Sequence, residues 1–168
     1  MRLTPMIAAA LAATLAAGPA AALSCLPHDL ARTFERVNSA AETYVAISGT
    51  LEFDESLLPE VDMADQQATP DVTRIPARMS GEALSRVGFN RPFAGPVTLI
   101  VECFGPWCAQ PPAGGEVLAF LRQDPEGFTL TVDPCGGDAF FAPEAAMLDK
   151  AHRCFTGGEC TPEQPQSE

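Results

Sequence analysis

The chain has 168 residues, enough for one hydrophobic core and one domain, and carries 22 acidic against 10 basic side chains for a formal net charge of −12. That excess of negative charge argues against nucleic-acid phosphates and anionic lipid surfaces as partners, because both are repelled at long range. A charge of this size keeps a protein soluble without naming what it binds.

The N-terminus reads as an export signal. One positive side chain, Arg2, precedes an Ala- and Leu-rich run from Met6 to Ala17. Gly18-Pro19 then breaks the helix, and Ala20-Ala21-Ala22 supplies the small residues a signal peptidase reads. The apolar run is too short to span a bilayer. Cleavage after Ala22 is expected, so residues 1–22 are a signal peptide and the mature chain starts Leu23-Ser24-Cys25. Lipoprotein processing at Cys25 is the rival. It would leave Ala22 where Leu is usual, and it would leave an odd number of cysteines. The protein is therefore expected to be periplasmic or secreted, with no transmembrane helix. The longest later apolar run, Val97 to Val101, is strand-sized and contains Thr98.

Residues 23–160 are expected to form a single domain. Residues 27–40 (PHDLARTFERVNSA) place Pro27 and Asp29 in a first turn, with Leu30, Phe34 and Val37 at helical spacing, and predict a short amphipathic helix. Residues 43–53 (TYVAISGTLEF) predict a strand with a bend or close backbone approach at Gly49. Residues 54–72 hold Asp54, Glu55, Glu60, Asp62, Asp65 and Asp71 with no basic residue, and predict a long acidic loop insertion. Residues 73–86 predict a second strand kinked at Gly81. Residues 87–95 are turn-rich, and 96–104 (PVTLIVECF) make the clearest strand. Residues 116–122 and 127–133 predict a hairpin around Asp124-Pro125-Glu126-Gly127. Pro143 and Glu144 open a second helix over 143–154, and residues 161–168 form a disordered tail. The fold class is mainly β with flanking helices (α+β). Five strands with short helices outside them suit a small closed β-barrel better than a parallel sheet.

Six cysteines allow 15 pairings. Cys103 and Cys108 flank the tight turn Phe104-Gly105-Pro106-Trp107, and Cys154 and Cys160 flank a loop of similar size. Pairing within each leaves Cys25 and Cys135, whose bond would pin the N-terminus to the end of the last expected strand. Two other uses of these residues stay open. Cys103 and Cys108 share the residue types of a thioredoxin site, but four residues separate them and no helix follows. Zinc could take Cys25, His28, His152 and Cys154, although the separations are loose.

Cys25-Leu26-Pro27, Ser48-Gly49-Thr50, Val117-Leu118-Ala119-Phe120-Leu121 and Pro134-Cys135-Gly136-Gly137 together resemble the netrin-like module. That module is the OB-fold domain of tissue inhibitors of metalloproteinases and of many exported bacterial proteins, short alphaproteobacterial ones among them. The resemblance implies a five-stranded OB-like barrel over about residues 25–150, and it also pairs Cys25 with Cys135. Members that inhibit proteases start Cys-x-Cys with a free cysteine amine. Here Pro27 replaces the second cysteine, so inhibition is not implied.

No catalytic motif emerges. Ser24, Ser48, Ser80 and Ser85 lack a G-x-S-x-G setting, and no phosphate or dinucleotide loop is present. The expected function is a non-catalytic, disulfide-stapled module that binds a protein or cell-envelope ligand without a cofactor. Trp107, inside its cysteine-bounded loop, and its neighbour Phe104 are the expected contacts. An enzyme or enzyme accessory using His28 or His152 is one alternative. A calcium or zinc protein is another, with the acidic 54–71 loop offering carboxylates to calcium.

Overall fold

Apolar residues recur with period two along the longest strand. Val97, Leu99, Val101 and Cys103 are buried, while Thr98, Ile100, Glu102 and Phe104 stand on the other face. In the computed structural model, which describes residues 23–163, this alternation belongs to one wall of a closed ring. The elements in chain order are α1 (Leu30–Ser39), β1 (Thr43–Phe53), β2 (Val72–Ser85), β3 (Gly88–Phe104), β4 (Trp107–Cys108), β5 (Glu116–Asp124), β6 (Gly127–Val132), β7 (Ala139–Phe141) and α2 (Ala145–Phe155). The expected signal, residues 1–22, lies outside the described residues, as do residues 164–168 of the expected tail.

Five strands make the ring in the order β1-β2-β3-β6-β5, and β5 closes it by pairing with β1. Neighbours are antiparallel except β3 and β6, which run parallel from Val97↔Phe128 to Val101↔Val132. The inside is filled by Ile47, Leu51, Ile75, Met79, Leu99, Leu130 and others, all excluded from solvent. A second apolar cluster lies outside the ring, where Leu30 and Val37 of α1 and Ala151 of α2 cover Leu118, Phe120 and Phe140. β5 is therefore buried on both faces, which explains why it reads as a continuous apolar run, Val117-Leu118-Ala119-Phe120-Leu121.

Closure requires β1 to bend, because residues 47–50 pair with β2 on one side and β5 on the other. Gly49 and Gly81 sit directly opposite each other at that bend. A Cβ on Gly49 would lie 2.1 Å from the Ser80 carbonyl oxygen, and one on Gly81 would lie 2.2 Å from that of Ser48. Two glycines let the two backbones approach where the sheet curls.

Three local expectations change. Residues 88–95 belong to β3, which is a 17-residue strand, and are not a turn. They extend the β2–β3 hairpin past the ring, and β6 pairs only from Val97 onward. Pro92 and Pro96 thus sit on an open strand edge, where a missing N–H is tolerated. Asp29 is the N-cap of α1 and not part of its first turn, and its carboxylate accepts from the Arg32 N–H at 2.9 Å. Finally β7, three residues long, is too short to show a period and pairs with β5. No helix among the described residues is long and apolar enough to cross a membrane.

Candidate functional site

All six cysteines are in disulfides: Cys25–Cys135, Cys103–Cys108 and Cys154–Cys160. The middle bond sits in a two-residue hairpin. Cys103 pairs with Cys108 and Phe104 with Trp107, leaving Gly105-Pro106 as the turn. Gly105 has φ +63°, while proline keeps φ near −65°, so only the first turn residue is left-handed. That is the pattern of a type II′ turn, whose twist matches the flanking strands. The Ala109 N–H donates to the Glu102 carbonyl at 3.1 Å and continues the ladder. Opposed residues share a face, so Phe104 and Trp107 project together on the side opposite the disulfide. They keep 40% and 38% of their surface exposed, high for large aromatic side chains.

A groove of about 560 Å³ opens beside Trp107. Pro106, Pro111, Pro134 and Phe141 form much of its wall, Val61 comes from the acidic loop, and Asp133 is the one charged group among the described residues that line it. Leu23 also reaches it, because the Cys25–Cys135 bond, with Cα atoms 5.4 Å apart, ties the N-terminal segment to the chain after β6. Of the two expected contacts, Trp107 lines this groove and Phe104 does not, and the proline walls were not expected. The available signal was that a proline lies within two residues of four of the six cysteines, and two of these prolines, Pro106 before Cys108 and Pro134 before Cys135, line the groove.

His28 lies in a different, polar cleft of about 470 Å³ between α1 and the β6–β7 connection. Its ring stacks on Phe140 with centroids 4.0 Å apart and planes 2° from parallel, and Nε2 lies 3.1 Å from the Gly137 carbonyl oxygen. Gly136 packs so close that a Cβ there would meet Nδ1 at 2.2 Å. Loss of water around the stacked ring lowers the His28 pKa, against the opposing pull of the Gly137 carbonyl and Asp133. Opposite it, Arg36 Nη2 reaches Asp138 Oδ1 at 2.5 Å. Burial pushes the Asp138 carboxyl above its ordinary range, and the guanidinium takes back only part of that rise. Burial alone would also raise Asp29. The N–H groups of Glu163 and Arg32, with Lys150 3.6 Å away, instead hold its carboxyl below the usual range. The start of the expected disordered tail is thus tied to the cap of α1.

The other residues weighed for chemistry do not converge. His152 Nε2 lies 2.9 Å from the Arg86 carbonyl oxygen at the β2–β3 turn, away from the His28 cleft. Cys25 and Cys154 spend their sulfurs on disulfides, so neither is a thiolate for zinc. Cys103 and Cys108 lie on paired strands, not at a helix N-terminus. In the acidic loop, Asp54 bonds Ser56, Asp62 bonds the Ala64 N–H, and Glu55 bonds the Ala113 N–H. Among the described residues no three His, Cys, Asp or Glu side chains lie together in a group able to hold a metal ion. No family model, curated protein or solved structure matches the chain.

Proposed function

We propose that the chain is a non-catalytic, exported binding module, built on an OB-like ring, that takes a protein or cell-envelope ligand at the Trp107 groove. The supporting observation is the disulfide-closed hairpin, which holds Trp107 out of the core beside a wall of prolines. A side chain fixed this way loses little entropy on binding, and tryptophan is enriched among residues that dominate interfaces. Among the described residues the groove is lined by a single charged group, Asp133, with no second titratable partner to share a proton, which suits recognition better than acid–base chemistry. Export to the periplasm or beyond accords with the signal-like N-terminus and with the three disulfides.

The test is capture from envelope extract by the oxidised protein and by Trp107→Ala. An interface anchor contributes at least about 2 kcal/mol, so the variant should retain its partner about 30-fold less well at unchanged circular dichroism. Equal capture by both proteins would remove Trp107 from the binding surface.

A further inference from the structure

We propose that the chain carries a second binding site, a cavity for a small organic ammonium ion, on a different face from the Trp107 groove. The cavity holds about 360 Å³, within the range of small-molecule sites. It opens where α1 and α2 both end. Asn38 and Ala40 line it from the last turn and cap of α1, and Phe155 from the last residue of α2.

Its walls are aromatic. Phe34, Tyr44, Phe120 and Phe155 all face it, and Tyr44 is the only tyrosine in the chain. Phe120 is fully buried at the base, Phe34 and Tyr44 are half-buried, and Phe155 is 47% exposed at the rim. Ring faces carry partial negative charge and attract alkylated ammonium groups, which shed water more readily than a bare ammonium.

The electrostatics have the same sign. Among the described residues, Glu42 is the only formally charged one lining the cavity. The C-terminal ends of two helices meet there, and each presents the negative end of its dipole. Cations lie in the last turns of both helices, Arg36 in α1 and His152 and Arg153 in α2, but none is among the described residues that line the cavity. Arg122, which pairs with Tyr44 across β1 and β5, holds Asp124 at 3.0 Å, and Arg36 holds Asp138 at 2.5 Å. The net charge of −12 adds long-range attraction for a cation. A neutral apolar ligand would use the aromatic walls and leave Glu42 without a counter-charge in the cavity.

Choline is the probe, with 3,3-dimethylbutan-1-ol as its uncharged isostere. Each is titrated into oxidised, isotope-labelled protein and followed by nuclear magnetic resonance. Choline should give saturable shifts at Phe34, Tyr44 and Phe155, and the alcohol should bind about tenfold more weakly. Phe155→Ala and Glu42→Gln, both at exposed positions outside the core, should each weaken choline several-fold, and Glu42→Gln should leave the alcohol unchanged. Equal binding of choline and the alcohol, shifts confined to other surfaces, no saturable shift, or choline affinity unaltered in both variants would overturn the assignment. None of these outcomes depends on Trp107, so this site and the proposed groove stand or fall separately.

Discussion

His28 shows how one side chain can tie stability to pH. Its pKa lies below the ordinary value of 6.5 because stacking on Phe140 strips water from the ring. On acidification the unfolded chain binds this proton first, so stability falls as pH drops from about 6.5 toward the folded value and is complete above 6.5. His28→Phe keeps an aromatic ring on Phe140 and removes the titration. The fall in melting temperature between about pH 7 and pH 5 should be smaller in the variant than in the wild type. An equal fall in both would place the acid sensitivity elsewhere. Asp138 acts lower on the scale and with opposite sign. Its raised carboxyl contributes most stability below its ordinary value of 3.8 and loses that contribution as pH rises through the folded value. The Arg36–Asp138 pair links α1 to the β6–β7 connection.

At the scale of elements, the ring depends on a backbone contact and not on a side chain. Gly49 and Gly81 face each other where β1 turns from β2 toward β5. The atom a new Cβ would strike is a main-chain carbonyl oxygen 2.1 Å away, which cannot move without breaking the ladder. Gly49→Ala should lose about 1–3 kcal/mol, the range for overpacking a well-filled interior, read as a lower midpoint in urea at an unchanged slope. A control at Gly95, where nothing lies within 4 Å of a new Cβ, should cost far less. Equal losses at both positions would show that the ring tolerates a wider spacing at its bend.

For the whole molecule, the bond between the most distant cysteines should matter most. Cys25–Cys135 spans 110 residues, whereas Cys103–Cys108 spans 5 and Cys154–Cys160 spans 6. On the loop-entropy model, removing the long bond costs about 4–5 kcal/mol and removing a short one about 2 kcal/mol. Replacing Cys25 and Cys135 by Ala should therefore lower the melting temperature more than replacing either other pair. The reverse ranking would mean that the N-terminal segment is held by α1 packing and the Asp29–Glu163 contact, not by the bond. Loss of Cys103–Cys108 should have a different signature, a modest change in stability with weaker capture at Trp107, because that bond shapes the hairpin and not the core.

Local patterns carried much of the fold. Helical spacing in 27–40 and 143–154, alternation in 43–53 and 96–104, and the turn at Asp124-Pro125-Glu126-Gly127 each rest on neighbours a few residues apart. Sequence alone was enough to place both helices, most of the ring strands and the glycine bend. Other features depend on residues far apart in the chain. Residues 88–95 look like a turn until β2 lies alongside them, and β7 exists only because β5 offers it an edge. The proline groove joins Val61, Pro111, Pro134 and Phe141, and the aromatic cavity joins Phe34, Tyr44, Phe120 and Phe155. The physical reason is that periodicity reports which face of an element is buried, while a site is a meeting of faces that only the closed ring and its two helices bring together.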